Sequence, residues 1–264
     1  MYGIRIVYMR ILNLPPVIDT GHGSKEMDDY IAKYLLPDTE MDTWYLDYGP
    51  SSIEGEYDEA LAAANVVLKC IEGEKAGYDA VFVNCFGDPG VRAAREAVSI
   101  PVFGGFEPIA YYALGTADRI GIVTVLPEVV PLIEGEIARY GLEKRFTGVR
   151  CIDIPVHDLG ETDRLIEAVI QESKRAIQED GAGTIVLGCT AMAGVKEEVE
   201  KALNEEGYGV PVIEAGQAAV VMLETFLRMN LYHSRVTYMP PRDKARAIWS
   251  AGGPTPIRQL KDSE

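Results

Sequence analysis

Short unbroken apolar runs alternate along the chain with longer stretches in which apolar residues recur at helical spacing. Residues 4–12, 42–46, 80–84, 100–105, 119–127, 149–154, 184–187 and 210–215 read as strands. Between them, residues 25–36, 56–76, 90–98, 106–114, 127–140, 161–180, 194–204 and 217–231 read as helices. Strand–helix alternation of this kind predicts an α/β fold with parallel sheets covered by helices. The runs are continuous rather than alternating because a parallel strand is buried on both faces.

The pattern repeats. YDAVFVNCFGDPGVRAAREAV (78–98) overlies AGTIVLGCTAMAGVKEEVEKA (182–202) at a constant offset of 104, which places Cys85 on Cys189 and Gly90 on Gly194. The strand near Ile4 echoes the one near Arg119. Two pseudo-symmetric α/β lobes are therefore expected, each a mainly parallel four-stranded sheet flanked by helices, with the site in the cleft between them. The division is 1–116 for the first lobe, 117–231 for the second and 232–264 for a C-terminal extension. Helix 217–231 is expected to pack back on the first lobe.

Composition narrows the partners. The 264 residues carry a formal charge of −16, which disfavours phosphate backbones and anionic membrane surfaces. Neither a signal peptide nor a membrane span is evident, so a cytoplasmic location is expected. The extension runs the other way, with six basic and three acidic residues. It is expected to fold onto the acidic body or a neighbouring subunit of a homo-oligomer, with Tyr232, Tyr238 and Trp249 supplying packing. Four widely spaced cysteines and three histidines fit neither a disulfide framework nor a zinc site, and no metal is expected.

Cys85 and Cys189 each end a buried strand just before a turn, where open α/β sheets bind ligands. If the lobes face each other, two thiols meet across one cleft. A thiolate on one face of a carbon acid can remove a proton while the opposite thiol returns one, inverting the centre without a cofactor. Backbone N–H groups of the turns would stabilise the developing enolate-like charge. Other polar residues admit plainer roles. His22 reads as a solvated loop residue, and His157 follows a strand end. Asp88 is placed to cap the helix starting near Pro89, while Glu107 and Glu214 follow equivalent strands and could orient a thiol. Cys70 and Cys151 read as packing residues.

The segments 49–67, 83–105, 123–142 and IVLGCTAMAG (185–194) together resemble the Asp/Glu/hydantoin racemase superfamily, nearest its hydantoin and allantoin branch. The resemblance implies two pseudo-symmetric flavodoxin-like lobes and cofactor-independent, two-base racemisation with Cys85 and Cys189 as the bases and a small-molecule substrate. It also implies substrate contacts from Asn13, Asn84, Phe86, Gly87, Thr124 and Thr190. The loop NLPPVIDTGHGS (13–24) departs from the family's Asn-Pro-Asn-Thr-like turn. Three alternatives stay open: an amino-acid racemase, a maleate-isomerase-like enzyme with one nucleophilic cysteine, and a ligand-binding protein on the same fold. A single-cysteine decarboxylase of the arylmalonate type is less favoured.

Overall fold

A computed structural model describes residues 8–21, 25–250 and 253–256. The first sheet contains β1 (Met9–Leu14), β2 (Thr39–Thr43), β3 (Ala80–Val83) and β4 (Val102–Phe103) in the order β2-β1-β3-β4, all parallel. The helices between and after these strands are α1 (Lys25–Ala32), α2 (Glu56–Lys75), α3 (Val91–Ala97) and α4 (Phe106–Leu114).

The second half repeats this order. Strands β5 (Ile120–Thr124), β6 (Phe146–Cys151), β7 (Thr184–Leu187) and β8 (Val212–Glu214) form a parallel sheet in the order β6-β5-β7-β8. They are accompanied by α5 (Val130–Arg139), α6 (Thr162–Gln178), α7 (Lys196–Glu205) and α8 (Ala215–Arg228).

The central strands β3, β5 and β7 are buried at every position, as their unbroken apolar runs require. Strand β1 runs two residues past its expected end and takes Asn13 and Leu14 from the expected loop, while residues 4–7 of that strand lie outside the described residues; the edge strands depart further. β2 and β6 both begin three residues before the apolar pattern places them, at Thr39 and Phe146. The β2 sequence TEMDT alternates half-buried with exposed positions, so its backbone pairs with β1 while its side chains carry no apolar signal.

The last helix belongs physically to the first lobe. Ala219, Val220 and Leu223 of α8 are buried with Ile11, Phe82 and Phe103, and Glu224 Oε1 accepts from the Leu36 N–H and the Thr39 hydroxyl. In exchange, Phe106, Ile109, Ala110 and Ala113 of α4 are buried in the second lobe's core. Each half thus lends a helix to the other's core, which ties the two lobes together.

Beyond α8, the His233 imidazole accepts the Val102 N–H at 3.0 Å, closing the free edge of β4. Burial pushes this imidazole down to about 3, so it is neutral and able to accept. Arg235 donates to the carbonyls of Arg95 and Val98 at the end of α3. Tyr238 accepts from Arg92 and Arg95, whereas Tyr232 is exposed. A two-stranded antiparallel hairpin, β9 (Ala247–Ser250) with β10 (Gly253–Pro256), follows. The side chain of Trp249 and all of His22 lie outside the described residues. Among the described residues, no helix is long and apolar enough to cross a membrane.

Candidate active site

Each cysteine stands two residues past a strand end. β3 stops at Val83, and Asn84 carries the chain to Cys85; β7 stops at Leu187, and Gly188 carries it to Cys189. Both sulfur-bearing residues are partly buried and free of disulfides. The two segments meet: the Thr190 hydroxyl donates to the Asn84 carbonyl at 3.3 Å, tying the residue after one cysteine to the residue before the other.

Glycine permits both turns. A Cβ at Gly188 would fall 2.6 Å from Ile122 Cγ2, and at that close approach the Thr124 hydroxyl donates to the Gly188 carbonyl at 3.0 Å. A Cβ at Gly104 would collide with the Asp88 carboxylate, and the next N–H, from Gly105, donates to the Cys85 carbonyl at 2.9 Å. The Cys85 turn is thereby fastened from behind by the loop after β4.

Asp88 does not cap the helix that follows it, which begins beside Gly90. It sits at φ 55°, and its Oδ1 accepts the Phe106 N–H at 2.9 Å and Oδ2 the Glu107 N–H at 3.4 Å, so it caps α4 instead. The left-handed backbone at Asp88 turns the side chain back under the loop. Burial raises this carboxyl to about 8 despite the Phe106 N–H, with Glu136 adding to the rise and Arg95 opposing it.

Burial raises both the Cys85 and the Cys189 thiol above their ordinary value. Cys85 is raised the more: burial is the main cause, the Gly87 N–H pulls it back, and Cys189, Asp88 and Glu59 add to the rise. Cys189 is pushed up to about 11 by burial and Glu54, with the Ala191 and Met192 N–H groups pulling it down. These two amides belong to the helical turn Thr190–Met192, whose cap residue is Cys189. In the first lobe a turn amide at Gly87 plays the corresponding part, since α3 starts only at Val91.

The remaining residues divide by role. Asn13 is fully buried; its amide N–H groups donate to Asp28 Oδ1 and Thr43 Oγ1, each at 3.0 Å, and its Oδ1 has no partner. The Asn84 Oδ1 is likewise buried and unpartnered. The Phe86 ring is buried in the second lobe's core, edge-on to Phe106, so any ligand contact from this residue comes through its backbone. The Thr124 hydroxyl is committed to Gly188, which makes Thr124 a support for the Cys189 turn.

Other polar side chains lie in networks of their own. Glu107 pairs with the buried Arg95, and Glu214 accepts from the Tyr30 hydroxyl and the Gly194 N–H, so neither faces a thiol. His157 meets Ser51 at 3.3 Å. Cys70 is buried in α2 and Cys151 lies in β6. Among the described residues, no three His, Cys, Asp or Glu side chains converge as a metal site. One residue near the site carries no signal in the sequence pattern: Glu59, whose Oε2 is buried without a partner and whose charge acts on Cys85.

The Asp/Glu/Hydantoin racemase family model matches residues 22–223. The chain belongs to that family. A hydantoin racemase from Rhizobium meliloti is 40% identical over 200 residues, covering 75% of this chain and 81% of the relative. The structure of the allantoin racemase from Klebsiella pneumoniae superposes with a TM-score of 0.80 at 34% identity, covering 90% of this chain and 96% of that one. The allantoin racemase from Pseudomonas fluorescens gives 0.82 at 31% identity, covering 89% and 98%. This two-lobed α/β racemase fold is the architecture that the 104-residue repeat anticipates.

Proposed function

We propose that this family member is a racemase or epimerase of a hydantoin, allantoin or related cyclic ureide, with Cys85 and Cys189 as its two bases and no cofactor. The observation that carries the reading is the hydrogen bond from Thr190 to the Asn84 carbonyl, which holds the two cysteine turns together across the cleft. One thiolate takes the proton from the stereocentre, breaking C–H and forming S–H. The electron pair passes into the adjacent carbonyl, where turn N–H groups stabilise it. The opposite thiol delivers its proton to the other face and is left as the thiolate.

Two features favour a neutral ureide over an acidic amino acid. The buried, unpartnered oxygens of Asn13 and Asn84 are acceptors, and a ureide ring offers N–H donors. The ionisable side chains that act on the two thiols besides each other are the carboxyls of Asp88, Glu59 and Glu54, none of them a cation that could pair with the second carboxylate of a dicarboxylic amino acid. The names of the hydantoin and allantoin racemases that match this chain support the same substrate class.

The decisive experiment follows solvent deuterium into the stereocentre of a single hydantoin enantiomer and of allantoin. Cys85→Ser and Cys189→Ser should each abolish racemisation. Unimpaired racemisation in both variants would sink the two-base reading.

A further inference from the structure

The geometry points to Glu59 as a positioning residue that helps hold the proton on Cys85, so that Cys189 is the first base of the pair. The inference rests on the two-cysteine reading above and deepens it.

The argument starts from helix packing. α2 lies directly against the turn after Cys85: a Cβ at Gly90 would fall 2.8 Å from the Ala63 carbonyl and 3.3 Å from Val66 Cβ. Glu59 sits one helical turn before Ala63, on the same face. That spacing carries its carboxyl to Gly87, where a Cβ would lie 3.7 Å from Glu59 Oε2. Gly87 is the residue whose N–H points at the Cys85 sulfur. The buried Oε2 has no hydrogen-bond partner, so no donor satisfies it when it ionises.

The groups facing Glu59 come from three elements. Glu56 lies on its own helix, Glu136 and Arg139 on α5 of the second lobe, and Cys85 on the turn. Burial, Glu136 and Glu56 raise the Glu59 carboxyl to about 7 while Arg139 opposes them, so it ionises within the working range of pH. Cys85 itself feels Cys189, Asp88 and Glu59.

The second lobe has no matching arrangement. At the repeat offset of 104, the position corresponding to Glu59 is Asp163, which is exposed. The carboxylate that acts on Cys189 is Glu54, whose Oε1 accepts the Val156 N–H at 2.9 Å. Cys189 also has two turn amides to stabilise a thiolate, against one for Cys85. Glu59 thus adds, beside burial, Asp88 and the uneven turn amides, to the inequality of the two bases. The singly ionised enzyme is mostly the Cys189 thiolate, so the enantiomer presenting its proton to Cys189 meets the populated form. The other enantiomer meets the minor form and shows the higher KM.

The test reads thiol reactivity in the free protein, so it does not depend on turnover. Alkylation of each cysteine by iodoacetamide is followed by peptide mass spectrometry from pH 6 to 9.5 in wild type, Glu59→Gln and Glu59→Asp. Glu59→Gln should alkylate Cys85 three- to tenfold faster than wild type at pH 8.5 and equally fast at pH 6, where Glu59 is protonated. Cys189 should stay within twofold, and Glu59→Asp should restore the wild-type curve. The same substitution should narrow the KM difference between enantiomers. An unchanged Cys85 curve in a folded Glu59→Gln protein would overturn the role of Glu59, as would an equal acceleration of both cysteines. The two-base reading is judged separately by the cysteine substitutions.

Discussion

The Thr190 hydroxyl of the second lobe donates to the carbonyl of Asn84 in the first, so each cysteine turn is anchored to the other through a residue adjacent to its thiol. Two-base catalysis needs the donors on opposite faces of one carbon, and an error of an ångström there costs about a hundredfold. Thr190→Val keeps the shape and removes the donor. It should lower kcat by about ten- to a hundredfold while costing about 1 kcal/mol of stability. Polarimetric kinetics set beside thermal melts will separate these effects. Full activity in the valine variant would mean that the bridge does not hold the bases.

The pH dependence of the reaction follows from the raised thiols. With Cys189 pushed up to about 11 and Cys85 higher still, the singly ionised pair is a minority species at neutral pH. Its population grows tenfold for each unit of pH until the first ionisation is passed. Log kcat/KM for the proposed reaction should therefore rise with a slope near one from pH 7 to 9. A plateau already reached at pH 7 would show that a thiolate is present in the resting enzyme.

Much of this architecture is legible in the sequence. The central strands announce themselves because burial on both faces demands unbroken apolar runs, and the repeat announces the second lobe by placing Cys189 over Cys85. Edge strands β2 and β6 start ahead of their apolar pattern because their half-exposed sequences carry little of it. Asp88 reads as a local cap since sequence shows neighbours in the chain, whereas its partners, the Phe106 and Glu107 N–H groups, arrive from the far side of β4. Glu59 is invisible for a related reason. On α2 it is one acidic residue among several, and only the packing of Ala63 beneath Gly90 aims it at Cys85.

Gly104 tests that fastening. A methyl group there would occupy the space of the Asp88 carboxylate, which is itself wedged beneath the start of α4. Gly104→Ala should cost about 1–3 kcal/mol by overpacking. It should also lower activity through displacement of the Cys85 turn. A melting temperature equal to wild type would show that Asp88 can swing away freely.

The unpartnered amide oxygen of Asn84 is the next test. If it accepts a ureide N–H, removing it leaves that donor buried and unpaired in the complex, a loss of about 1–3 kcal/mol. Asn84→Ala keeps the main-chain carbonyl that receives Thr190. It should raise KM for hydantoin or allantoin by about ten- to a hundredfold, with a smaller effect on kcat. Initial-rate kinetics on both substrates would decide it, and an unchanged KM would remove Asn84 from the binding site.

Asp88 also gives the fold its own pH dependence. The buried carboxyl keeps its proton up to about 8 in the folded protein, while an unfolded chain releases it near the ordinary value of 3.8. The folded state therefore binds the extra proton between these limits, and stability falls as pH rises through that window. The contribution is fully present below the lower limit and gone above the upper one. The Asp88→Asn variant has no proton to lose at this position and keeps an acceptor for the Phe106 N–H. The fall in melting temperature from pH 5 to 9 should be clearly shallower in this variant than in wild type, when both are followed by circular dichroism. Parallel curves would show that Asp88 is ionised throughout and that the amides of α4 outweigh its burial.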